Sequence, residues 1–118
     1  MSRLFDINVL DEGRRVKVTW YYPMLNEAAA GILRENMKQA LAENETLGEV
    51  TFYTANAVVV INTAFDQLTA LCRQLVEKGF KVIFVNPSPA MSDFLTISKD
   101  DFEFVVQTVP AASARVAV

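Results

Sequence analysis

The spacing of apolar residues along this chain switches from every second position to about every 3.6 and back, twice, and that alternation limits the folds open to it. Phe5, Ile7 and Val9 alternate with Asp6 and Asn8, and after Asp11-Glu12-Gly13 the alternation resumes through Val16, Val18 and Trp20. Period-two patterning on both sides of an acidic turn closed by glycine predicts a β-hairpin, its second strand ending near Pro23. Asn26 stands where a helix cap is needed, and over 27–44 the residues Ala29, Ile32, Leu33, Met37, Ala40 and Leu41 recur at helical spacing.

Gly48 closes that unit. Val50 to Tyr53 and Val58 to Ile61 are β-branched and aromatic. They read as a strand, a break and a second short strand, or as a hairpin across Thr54-Ala55-Asn56. A second helix is expected over 64–78, with Phe65, Leu68, Leu71, Cys72 and Leu75 on one side and Gly79 as its stop. Lys81 to Val85 is a buried strand, and Asn86-Pro87-Ser88-Pro89 forces a turn before a short helix around 91–95. A last extended piece spans 102–109. Strands alternating with helices imply an α/β sheet with parallel neighbours, the two long helices side by side on one face. Residues 1–109 make a single domain, and 110–118, small and weakly patterned, make a loose C-terminal tail.

Composition removes most functional classes. With 52% hydrophobic and 21% charged residues, the chain of 118 is expected to fold rather than stay disordered. Its 11 basic and 14 acidic residues give a net charge of -3 and form no positive stripe, so nucleic acid is not an expected partner. There is no histidine and one cysteine, which removes the commonest general base and the ordinary zinc sites. Gly13, Gly31, Gly48 and Gly79 are too scattered for a phosphate-cradling loop. Asp11-Glu12 and Asp100-Asp101 read as solvated turn residues, and Cys72 as a small hydrophobe on a helix. No catalytic residue, cofactor or metal is therefore expected. A lone cysteine, no signal-like amino terminus and no long apolar run predict a cytoplasmic protein without membrane insertion.

The informative stretch is Val60-Ile61-Asn62-Thr63-Ala64-Phe65-Asp66-Gln67-Leu68. A buried strand is expected to run straight into a helix there, with Asn62 or Thr63 as N-cap and Thr63 to Asp66 spaced as a capping box. Such a junction also presents free amides and the positive end of a helix dipole, suited to a phosphate or to an acidic group of a partner.

At these residues the chain resembles the STAS domain family, which comprises the anti-sigma factor antagonists and related cytoplasmic domains of sulfate transporters. The element order matches over residues 3–109. In the family a short strand ends in an Asp-Ser-Ser-Gly-like turn that opens a helix, and the next helix-to-strand unit ends in a motif like Val-Asn-Pro-Ser-Pro. The corresponding segments here are Val60-Ile61-Asn62-Thr63-Ala64-Phe65 and Phe84-Val85-Asn86-Pro87-Ser88-Pro89. The resemblance implies a STAS-like mixed sheet with helices packed mainly on one face. It aligns Asn62 with the Asp, Thr63 with the first hydroxyl residue, Ala64 with the second, which is the usual phosphate acceptor, and Phe65 with the Gly. Ala64 cannot be phosphorylated, so Thr63 becomes the candidate acceptor.

The resemblance implies a non-catalytic regulatory domain that docks an anti-sigma kinase-like or other signalling protein through Asn62, Thr63, Ala64, Phe65 and Asp66, with Phe65 as an exposed apolar anchor. Two other readings stand beside it: a structural subunit of a transporter or stressosome-like assembly, and a small-ligand sensor. A homodimer through a sheet edge or helix face is compatible with each.

Overall fold

The computed structural model describes residues 4–10, 14–42, 48–98 and 104–107. Chain order among them is β1 (Phe5–Leu10), β2 (Arg15–Trp20), β3 (Met24–Leu25), α1 (Glu27–Ala42), β4 (Glu49–Tyr53), β5 (Val59–Val60), α2 (Asn62–Glu77), β6 (Lys81–Val85), α3 (Pro89–Ser98) and β7 (Val105–Gln107). The main sheet is five-stranded in the order β1-β2-β4-β6-β7, and β3 and β5 form a separate two-stranded pair. β1 and β2 are antiparallel; every later pairing is parallel. Each parallel step moves outward in the same direction. Right-handed crossovers therefore place all three helices on one face.

Strand register shows which face that is. Val16, Val18 and Trp20 on β2 align with Val50 and Phe52 on β4, which align in turn with Val82 and Phe84 on β6. All of these are buried in one cluster with Ala29, Leu33 and Met37 of α1, Phe65, Leu68 and Leu75 of α2, and Met91 and Leu95 of α3. Phe52 and Phe84 stack at 5.1 Å between ring centroids, and each such buried side chain stabilises the fold by roughly 1.5–3 kcal/mol. The alternate residues lie on the opposite face. There the Lys17 ammonium sits 4.9 Å from the Tyr53 ring centroid, and Ile83 and Val85 are buried outside the main cluster.

Two glycines have fixed tasks. Gly79, at φ 93°, follows α2 and closes it with a Schellman pair: Phe80 N–H donates to Leu75 O at 2.9 Å and Gly79 N–H to Val76 O at 3.0 Å. At Gly48 a Cβ would fall 1.5 Å from Arg14 O, because Glu49 N–H donates to that same carbonyl at 2.8 Å. Only glycine permits so close an approach.

The sequence reading holds for the hairpin strands, for both long helices side by side on one face, and for Asn26, whose Oδ1 accepts from Ala29 N–H at 2.9 Å. Elsewhere it is corrected. β2 ends at Trp20, and the chain then adds β3, which no period announced because it is two residues long. β5 pairs with β3, not with β4, so there is no hairpin across Thr54-Ala55-Asn56. α2 starts at Asn62 and α3 runs from Pro89 to Ser98, both longer than expected. Asp11-Glu12-Gly13, residues 43–44, Asp100-Asp101 and the segment 110–118 lie outside the described residues.

Candidate functional site

At the carboxyl ends of β2, β4 and β6 the chain builds a rim. β3 and β5 form its wall: Val59 N–H donates to Pro23 O and Ile61 N–H to Leu25 O, both at 3.0 Å. A turn at 54–57 leads into β5, with Ala57 N–H donating to Thr54 O at 3.1 Å and the Asn56 amide to Trp20 O at 3.3 Å. From below, the buried Ser88 hydroxyl donates to Ala57 O at 2.6 Å and accepts from Met91 N–H at 3.1 Å. One side chain thus fixes the turn and caps α3.

The part of the wall facing away from the core is apolar. Val58, Val59 and Ile61 are 67%, 45% and 39% exposed, whereas Ala57 between turn and strand is buried and Val60 is half-buried against the core. This departs from the buried strand expected over 58–61. A strand in the main sheet would be covered on the helix face, but β5 lies at the rim with one short neighbour.

α2 begins directly behind this ridge. Its cap is Ile61, at φ -89° and ψ 135°, and no side chain caps the helix. Neither Asn62 nor Thr63 is the N-cap, and the expected capping box is absent because the helix starts before it. Thr63 instead turns sideways, its hydroxyl donating to Glu27 Oε1 at 2.5 Å and joining the first turns of α1 and α2. Asn62, Thr63 and Asp66 are exposed. Ala64 and Phe65 are not: they are 0% and 3% exposed, and the Phe65 ring packs on Phe94 at 4.8 Å between centroids. The expected anchor is a core residue, because at the fourth position of α2 its side chain faces the sheet and α3. The five residues singled out thus split into an exposed set and a buried set.

Sequence reasoning missed Val58, Val59, Ile61, Glu27 and Ser88. β-branched runs ordinarily signal burial, and nothing local marks a glutamate 36 positions away as the partner of Thr63. Burial pushes the Cys72 thiol pKa upward, which keeps it protonated and a poor nucleophile. Among the described residues no group of three or more His, Cys, Asp or Glu gathers as a metal site, and no helix is long and apolar enough to cross a membrane.

One antiparallel hairpin, parallel strands added outward from it, helices on a single face and a short rim strand opening α2 together define a STAS-like fold, that of the anti-sigma factor antagonists. The solved structures it resembles include SpoIIAA in its unphosphorylated form, with a TM-score of 0.67 at 14% identity over 96% of this chain and 96% of that one. Phosphorylated SpoIIAA, the Bacillus cell fate determinant, gives a TM-score of 0.70 at 14% identity over 96% and 97%. A Thermotoga maritima protein named as a candidate anti-sigma factor antagonist gives 0.66 at 12% identity over 97% and 93%. No family model matches the sequence. No curated protein matches it either. At this level of identity the likeness establishes the fold.

Proposed function

We propose that the chain is a non-catalytic regulatory domain of the cytoplasm that binds a signalling protein through the rim formed by Val58, Val59, Ile61, Asn62, Thr63 and Asp66. The observation that carries this reading is the apolar ridge of Val58, Val59 and Ile61, exposed yet held by backbone bonds to β3 and braced by Ser88. An exposed apolar group on a rigid support loses little conformational entropy on binding, and desolvated side chains at the centre of an interface dominate affinity. Beside the ridge, the uncapped first turn of α2 offers amides for a partner carboxylate or carbonyl. Phe65 and Ala64 support this surface from inside and take no part in it.

The neighbours' description as anti-sigma factor antagonists gives the partner class to try first: an anti-sigma factor, or a related kinase, from the same genome. Thr63 is the candidate phosphorylated hydroxyl. A phosphate there would replace its hydrogen bond to Glu27 with repulsion between like charges, while the α2 dipole would favour it. The enclosed cavity beneath the turn, lined by Trp20, Leu25, Thr54 and Ala57 among others, has a volume of ≈ 10 Å³, too small for an organic ligand at this position. That is room for about one water.

The test is calorimetric titration of each such partner with the wild-type chain and with the double variant Val58→Asp, Ile61→Asp. Loss of two central apolar contacts is expected to weaken binding by about 100-fold or more, with the melting temperature little changed. Equal affinity for both chains would remove the ridge from the interface.

A further inference from the structure

We propose that two copies of this chain pair through the outer edge of β1, antiparallel about Ile7, to make one continuous sheet. The phase of the β1–β2 ladder shows which groups are free to do so. Tyr21 N–H donates to Leu4 O at 2.8 Å, and β1 pairs with β2 without a break from Phe5↔Trp20 to Leu10↔Arg15. Bonded and non-bonded residues alternate in an antiparallel pair, so Leu4, Asp6, Asn8 and Leu10 bond inward to β2. Phe5, Ile7 and Val9 therefore direct their N–H and C=O groups outward, and among the described residues β1 is the last strand on that side of the sheet.

Sheet edges are usually protected by lysine, proline, a bulge or shortness. β1 has none of these: it is Phe5-Asp6-Ile7-Asn8-Val9-Leu10, six residues in unbroken register. Val9 and Leu10 are 40% and 42% exposed, one on each face of the sheet. The strand's one charge, Asp6, accepts a hydrogen bond from the Tyr21 hydroxyl at 2.9 Å, which draws the carboxylate toward the β2 side. The opposite edge of the sheet, β7, has three residues and offers a much shorter template.

The sequence of β1 is self-complementary in one register. With Ile7 opposite the partner's Ile7, Phe5 faces the partner's Val9, and each outward N–H and C=O of Phe5, Ile7 and Val9 meets its complement. The apolar side chains then meet across the seam on the helix face, and Asp6 faces the partner's Asn8 on the other. A shift by one residue sets outward groups against inward ones and forfeits the bonds. A shift by two, in either direction, leaves one outward residue without a match inside β1, and one of those shifts also brings Asp6 against its own copy. The net charge of -3 on each chain opposes association at long range, so added salt should strengthen the dimer.

Sedimentation equilibrium of the full chain, at low and moderate salt, with residue-resolved amide exchange at dilute and concentrated protein, tests this. A dimer strengthened by salt is expected, with amides of Phe5, Ile7 and Val9 gaining protection as concentration rises and those of Asp6, Asn8 and Leu10 protected throughout. Val9→Lys should weaken it by about tenfold or more while the melting temperature stays near wild type. Ile97→Lys, a substitution at an exposed position on α3, should leave it unchanged. A chain still monomeric at millimolar concentration, or a dimer in which the Phe5, Ile7 and Val9 amides exchange as in the monomer, would overturn the proposal.

Discussion

Two junctions in this molecule do the same topological work, carrying a strand at the top of the sheet into a helix, and they satisfy their polar groups in opposite ways. Where β6 enters α3, Asn86 takes a left-handed φ of 45°, Pro89 opens the helix, and the buried Ser88 both caps it and holds the 54–57 turn. Where β5 enters α2, the cap is Ile61, no side chain among the described residues caps the free amides of the first turn, and Val58, Val59 and Ile61 face outward. The first junction makes its bonds inside the protein and the second leaves bonding capacity and apolar area outside. The binding surface proposed for the rim needs the second arrangement, and the first, lying beneath it, holds it rigid.

Phe65 marks the boundary between the two, and emptying its site should have the largest effect. Its ring is 3% exposed and packs on Phe94, between α2 and α3. Phe65→Ala should lower stability by about 3–5 kcal/mol in denaturant unfolding, the usual result of a cavity left by phenylalanine. A loss below about 1 kcal/mol would mean that the ring belongs with the exposed ridge and that the division between the junctions is drawn in the wrong place.

Ser88→Ala should come next. It removes a donor from the buried Ala57 carbonyl and an acceptor from Met91 N–H, leaving both groups without their partner. Loss of a buried hydrogen bond and of a helix cap together should reduce stability by roughly 1–3 kcal/mol. Binding at the rim should weaken as well, since the turn that aims Val58 loses its brace. Unchanged affinity in a destabilised variant would show that the ridge holds its shape from β3 alone.

Legibility in the sequence followed the same division. The core was readable, because Val16, Val18 and Trp20, or Leu68, Leu71 and Leu75, carry the period of the element that buries them. Gly79 and Asn26 announced a helix end and a helix start through chemistry local to each. The rim was not readable in this way. β3 and β5 are two residues each, shorter than any period, and their pairing joins segments that no local pattern connects. Val58 to Ile61 looked buried because β-branching signals a pleated surface without saying whether anything covers it. Phe65 looked available because position in a recognised turn says nothing of which way the side chain points. The resemblance pointed to residues 60–65, where β5 does lead into α2, and only packing could separate the outer residues of that junction from its inner ones.

Thr63 should show the smallest effect on stability, and its sign is informative. Its hydroxyl donates to Glu27 from an exposed position, so Thr63→Val removes a bond that water readily replaces and should change stability by no more than about 0.5 kcal/mol. Thr63→Glu places a carboxylate in the first turn of α2, favoured there by roughly 0.3–1 kcal/mol, but also beside Glu27, which opposes it by a comparable amount. The two contributions nearly cancel, and both are screened by salt. Because Glu27 is itself a favourable first-turn carboxylate of α1, the repulsion is read from the full cycle of Thr63→Glu, Glu27→Gln and the double variant, in which the coupling should be unfavourable and should shrink as salt rises. Urea unfolding of the single and double variants at two ionic strengths measures this directly. A loss of several kcal/mol for Thr63→Glu, insensitive to salt, would mean that the side chain is shielded from water and that the α2 junction is as closed as the one at α3. A small, salt-dependent change would instead establish that charge can be altered at this position without altering the fold, which is the property a phosphorylated recognition surface needs.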